Sequence, residues 1–163
     1  MAVWGEPEGW LYEYFDLDEP VETFTGFEPM VELYRSKLNG RLMPSWSDFD
    51  VFDFKGWLGK VNVIDITQDP LDFKYRIHAT EAVDLVKEDF TNKTHRELSD
   101  RNTLSDEDMK FYEMVVKERK IARSSGMFPY ENIRKRKVTF LEFPLSDDGG
   151  KTVTQQIEFF FIF

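Results

Sequence analysis

The chain has no cysteine and only two histidines among its 163 residues. Without thiols there is no disulfide, no thiolate nucleophile and no cysteine-type zinc or iron–sulfur site. With only His78 and His95, imidazole catalysis and metal ligation have few starting points, and surface or capping use of both rings is preferred. No apolar run approaches the ~18 to 20 residues of a membrane span. The opening Met-Ala-Val-Trp-Gly-Glu-Pro-Glu lacks the basic stretch of a secretory signal, so a cytoplasmic protein without membrane contact is expected. Neither a nucleophile-elbow serine motif nor a phosphate-cradling glycine loop is present.

Basic residues are also missing from one region. No lysine or arginine precedes Arg35, while Glu6, Glu8, Glu13, Asp16, Asp18, Glu19, Glu22, Glu28 and Glu32 do. These nine acids account for nearly all of the net charge of -10, because the remaining 22 acids face 21 basic residues. An acidic arm of this kind disfavours nucleic-acid binding, which usually calls for a basic excess.

What is present is aromatic and strand-forming. Residues 1–27 mix the acids with Trp4, Trp10, Tyr12, Tyr14, Phe15, Phe24 and Phe27, and are read as an arm docked on a single domain spanning 28–163. A short amphipathic helix is expected over 28–38, with Met30, Leu33, Tyr34 and Leu38 on one side. Alternation predicts strands over 60–67 and 72–79 around a Gln68-Asp69-Pro70 turn. Short helical pieces follow over 80–98. Ser105 to Asp108 form a capping box opening a further helix, and strands are predicted over 120–128, 132–145 and 152–163. The fold class is therefore α+β: a five-stranded antiparallel sheet with a helical block on one face, an N-terminal helix and the arm.

Four fragments occur in order: Ser47-Asp48-Phe49-Asp50 with Asp53; Phe73-Lys74-Tyr75-Arg76-Ile77 leading to Ala79-Thr80; Glu88-Asp89-Phe90-Thr91-Asn92-Lys93; and Phe143-Pro144-Leu145-Ser146-Asp147-Asp148-Gly149. The succession resembles the bacterial PAS-like sensory domains whose branch carries DFDPxD, Gly-Thr, D-x-T-G and PLSDDG motifs. It covers about residues 30–163 and departs from that pattern at Val51, where the family has proline, and at Ala79 and Asn92, where it has glycine. The resemblance implies an internal cavity able to hold a small ligand, and raises haem ligation by His95 as an option. No cofactor is required by the sequence.

Candidate cavity residues, placed between sheet and helices, are Tyr75, Ile77, Leu85, Tyr112, Val116, Leu141, Phe143 and Ile157, with a small apolar ligand expected. Val138, Phe140, Phe160 and Ile162 make the opposite face partly apolar, so they are expected to take the arm or a second copy in a homodimer. Arg119, Lys120, Arg123, Arg134, Lys135, Arg136 and Lys137 form a basic strip suited to the acidic arm or an acidic partner. Asp48, Asp50 and Asp53 are spaced like calcium-binding carboxylates, but the glycine and closing glutamate of such a loop are missing, so turn capping is preferred. The leading function is a non-enzymatic domain for signal transduction that acts through ligand occupancy or contact with a signalling protein. The alternative is a small cone-shaped α+β enzyme using a buried carboxylate such as Glu142 on a small apolar substrate, although the register assigns Glu142 to the outer face.

Overall fold

The computed structural model describes residues 1–5, 9–100, 105–128 and 136–163. Seven strands form one antiparallel sheet: β1 (Ala2–Gly5), β2 (Leu11–Phe15), β3 (Val61–Gln68), β4 (Leu71–Ile77), β5 (Ile121–Phe128), β6 (Arg136–Leu145) and β7 (Gln155–Ile162). Their order is β1-β2-β5-β6-β7-β3-β4. Among the described residues four α-helices accompany them: α1 (Glu28–Ser36), α2 (Thr80–Val86), α3 (His95–Asp100) and α4 (Asp106–Glu118). None of the described helices is long and apolar enough to cross a membrane.

The two strands beyond the expected five come from the arm. β2 pairs with β5 from Leu11 opposite Ser125 to Phe15 opposite Ile121, and β1 folds back on β2. Backbone pairing, which the acids and prolines of the arm obscured, therefore docks it. Side chains then anchor it on both faces. Phe15, Phe24 and Phe27 are buried in the core, while the Tyr12 hydroxyl donates to Asp108 of α4. Trp10 lies flat on Gly126 of β5, where a Cβ would stand 2.3 Å from its ring, and stacks on Phe140 at 6.2 Å. Two members of the basic strip hold the arm's acids: Lys120 pairs with Asp16, and Arg123 grips Glu13 at 2.7 and 2.9 Å.

Both faces of the sheet are covered. On one, Ile121, Leu141, Phe143, Leu145, Ile157 and Phe159 pack under α1 and against Phe54 and Trp57. Tyr34 of α1 donates its hydroxyl to the Pro144 carbonyl at 2.7 Å. The other face carries α2, α3 and α4. The helices thus divide between two faces, and the richest apolar face belongs to α1.

Acidic turn motifs act as caps. Ser45 with Asp48, Asp50 with Asp53, and Ser105 with Asp108 each form a reciprocal box. Arg41 and Lys37 neutralise Asp48 and Asp53 at 2.6 and 2.7 Å. Asp148 accepts from the amides of Lys151 and Thr152, both at 2.9 Å, and from the Ser146 hydroxyl, and these bonds hold its carboxyl below the usual range. Asn92 takes a left-handed backbone with φ of 66°, which asparagine tolerates. Ala79 stays extended at φ -60°, ψ 143°, so no glycine is needed there.

Candidate functional site

β6 and β7 alternate, and their second register faces α2–α4. Antiparallel pairing sets Ala122, Glu142, Glu158 and Asn62 directly opposite one another across β5, β6, β7 and β3. The adjacent row of the same face holds Pro144, Gln156, Ile64 and Tyr75. Apolar residues on this face form three separate clusters rather than one, because the polar row lies among them.

Glu142 is 1% exposed and Glu158 5%. Asn62 donates its amide to Glu158 and accepts the Ala79 backbone N–H at 2.7 Å, bridging sheet and α2. Neither Glu142 oxygen has a hydrogen-bond partner of ordinary geometry, although the Tyr112 phenol lies near enough to favour its charge. Both nitrogens of His95 and both amide atoms of Gln156 are likewise buried without a partner. Such groups are rare, since an unanswered buried polar atom costs about 1–3 kcal/mol.

Protonation follows from burial. Desolvation pushes the Glu142 and Glu158 carboxyls up, and Glu158 adds a like charge beside Glu142. Directly opposed residues lie ~5 Å apart, where two unit charges in an effective dielectric of about 20 repel by about 3 kcal/mol. The pair therefore resists double ionisation. Desolvation pulls His95 down to about 4, keeping it neutral near pH 7. Burial, with the two carboxylates, pushes the phenols of Tyr75 and Tyr112 up.

Aromatic rings wall the cluster. His95 on α3 stands 5.1 Å from Phe73, 5.5 Å from Tyr75 and 5.6 Å from Tyr112 between ring centroids. Both tyrosines are half-buried. A separate open cleft of about 670 Å³, lined by Gln68, Glu113, Val116, Lys117, Arg119 and Lys151 among others, lies at the solvent edge of α4; neither carboxylate lines it.

Compared with known protein families, curated proteins and solved structures, the chain matches none.

The expected cavity residues separate. Tyr75, Leu85, Tyr112 and Val116 lie on the helical-block face, whereas Leu141, Phe143 and Ile157 are buried on the opposite face beneath α1, and Ile77 is 41% exposed. The face expected to take the arm or a second copy takes Trp10 of the arm, stacked on Phe140, and the α2 region. Val138 and Phe160 are fully buried, with Phe140 and Ile162 packed beside them, under Ala79, Ala82 and Leu85 of the α2 region, so that surface is filled from within the chain. Glu142 points to the helices, not outward. Alternation told which residues share a face but not which face the helices cover. Of the basic strip, Arg119 reaches the Lys151 carbonyl at 3.5 Å and Arg136 and Lys137 are exposed, while Arg134 and Lys135 lie outside the described residues. His78 is a turn anchor with a buried ring: it accepts the Phe90 N–H at 3.0 Å and stacks on Phe90 at 4.8 Å. Sequence reasoning missed Glu158, Gln156 and Asn62 as site residues, although polar groups interrupting apolar strands were the available signal.

Proposed function

We propose that the chain is a PAS-like sensory or interaction domain that holds a small ligand between the sheet and α2–α4 and passes its state to a protein partner. The observation that carries this reading is that Glu142 and Gln156 on the sheet and His95 on α3 are all buried on the side covered by α2–α4 without a hydrogen-bond partner of ordinary geometry. Five successive strands in the order β4-β3-β7-β6-β5, with α2–α4 inserted after the second, support it; the arm's two strands extend that plan. The polar floor changes the expected ligand from apolar to amphipathic, with an apolar body among the aromatic rings and polar atoms against the sheet.

A second reading is favoured by one feature. Two opposed carboxyls, both raised, can divide the roles of proton donor and acceptor, as a general acid–base enzyme requires. Near-complete burial of both argues for a retained occupant over a substrate that exchanges each turnover. Native mass spectrometry of the full chain, purified without denaturation, tests the proposal. A stoichiometric small-molecule adduct released on unfolding is expected; a bare polypeptide mass in every preparation overturns the sensory reading.

A further inference from the structure

We propose that the open cleft at the C-terminal end of α4 is a binding site for a small organic anion, a carboxylate carried on a compact apolar body. The inference goes beyond the ligand-binding reading above and does not depend on it, because the carboxyl row on the sheet lies outside the cleft. Three parts of the chain build the space. The β3–β4 hairpin supplies Gln68 and Leu71, the end of α4 supplies Val116, Lys117 and Arg119, and the β6–β7 connection supplies Lys151 and Val153. Its volume of about 670 Å³ lies within the ~300–1,000 Å³ of small-molecule sites. The rim is fixed from within the chain. The Gln68 amide donates to the Val153 carbonyl at 2.7 Å, Arg119 reaches the Lys151 carbonyl at 3.5 Å, and Asp148 holds the Lys151 and Thr152 amides at 2.9 Å.

Floor and charge select the ligand. Leu71, Val116 and Val153 belong to one apolar cluster, so the cleft offers a surface to an apolar body. Around them Lys117, Arg119 and Lys151 are exposed and outnumber the single acid, Glu113, in a chain whose net charge is -10. Lys110 and Lys120 nearby in sequence pair with Glu107 and Asp16, yet among the described residues no carboxylate forms an ion pair with these three cations. Arg119 also stands where the chain turns left-handed to end α4, with φ of 53°, a conformation that glycine adopts without steric cost. That costly position carries a guanidinium, whose fork of donors matches a carboxylate. A cationic ligand would face the three basic side chains, and a neutral one would gain from the floor alone.

The test follows the amide chemical shifts of the isotope-labelled full chain during titration with benzoate, benzyl alcohol and benzylammonium, which share one ring and differ in charge. Each exposed ion pair strengthens binding by up to about fivefold. Benzoate should therefore bind at least about threefold more tightly than benzyl alcohol, and benzylammonium more weakly than both, with shifts centred on the amides of Lys117, Arg119, Lys151 and Val153. Arg119→Gln and Lys151→Gln should each weaken benzoate about three- to fivefold while leaving benzyl alcohol within about twofold. Arg136→Gln, at the far end of β6 from its connection to β7, should leave benzoate binding unchanged. Equal binding of the three probes, an equal loss from Arg136→Gln, or cleft amides unmoved by millimolar benzoate overturns the anion site. Shifts centred instead on Glu142 and Tyr112 overturn it too and leave the ligand-binding reading standing.

Discussion

Glu142→Gln should change the pH dependence of stability in a direction the structure dictates. In the folded chain the Glu142 carboxyl is raised by burial and by Glu158, whereas in the unfolded chain it titrates near ~4.3. Between those values the native state binds more protons than the unfolded state, so stability falls as pH rises and levels off above the folded value. His95 acts oppositely: with its folded value at about 4, against ~6.5 unfolded, it adds stability as pH rises across that interval. The two slopes partly cancel in the wild type below about pH 6.5, and the difference between wild type and variant removes the His95 contribution and leaves that of Glu142 with its repulsion by Glu158. Repulsion of about 3 kcal/mol, the Coulomb figure for the opposed pair, sets the scale of what the wild type loses as both carboxyls ionise. Urea unfolding at roughly pH 5, 6, 7 and 8 should therefore show Glu142→Gln gaining on the wild type by about 3 kcal/mol between the extremes. A difference independent of pH would refute the reasoning, because it would mean that Glu142 ionises as easily folded as unfolded.

Packing dictates the remaining expectations. Phe160→Asp should unfold the chain or cost at least about 3 kcal/mol, because Phe160 is fully buried beneath α2; a folded monomer of wild-type stability would contradict this placement. Phe15→Ala should cost about 3–5 kcal/mol in chemical denaturation, since its buried ring meets Phe24 edge-on at 4.9 Å and Arg123 lies 4.8 Å above it. Gly126→Val should displace Trp10 from β5, costing about 1–3 kcal/mol and shifting tryptophan fluorescence toward the solvent-exposed value.

Local signals were legible where the responsible chemistry is local. The Ser105–Asp108 box opens α4, the Gln68–Leu71 connection closes the β3–β4 hairpin, and helical spacing places Met30 and Tyr34 of α1 in the core. The strands of the arm were not legible, because β2 depends on backbone bonds to β5, more than 100 positions away, and Leu11-Tyr12-Glu13-Tyr14-Phe15 stands in a segment rich in acid and proline. The site was half legible. Tyr75 and Tyr112 stood out as buried hydroxyls, and Glu142 as a charge within an apolar strand. Its orientation was lost because period-2 patterning has the same form whichever face the helices occupy, and here both faces are covered.

The most direct measurement is a high-resolution crystal structure of the full chain purified without added ligand, inspected between the sheet rows of Glu142 and Gln156 and the helices α2–α4. The account predicts density for a bound small molecule within hydrogen-bond distance of a Glu142 oxygen and in contact with the Tyr75 or Tyr112 ring. A closed core in which Glu142, Gln156 and His95 hydrogen-bond only to one another or to other protein groups would contradict it.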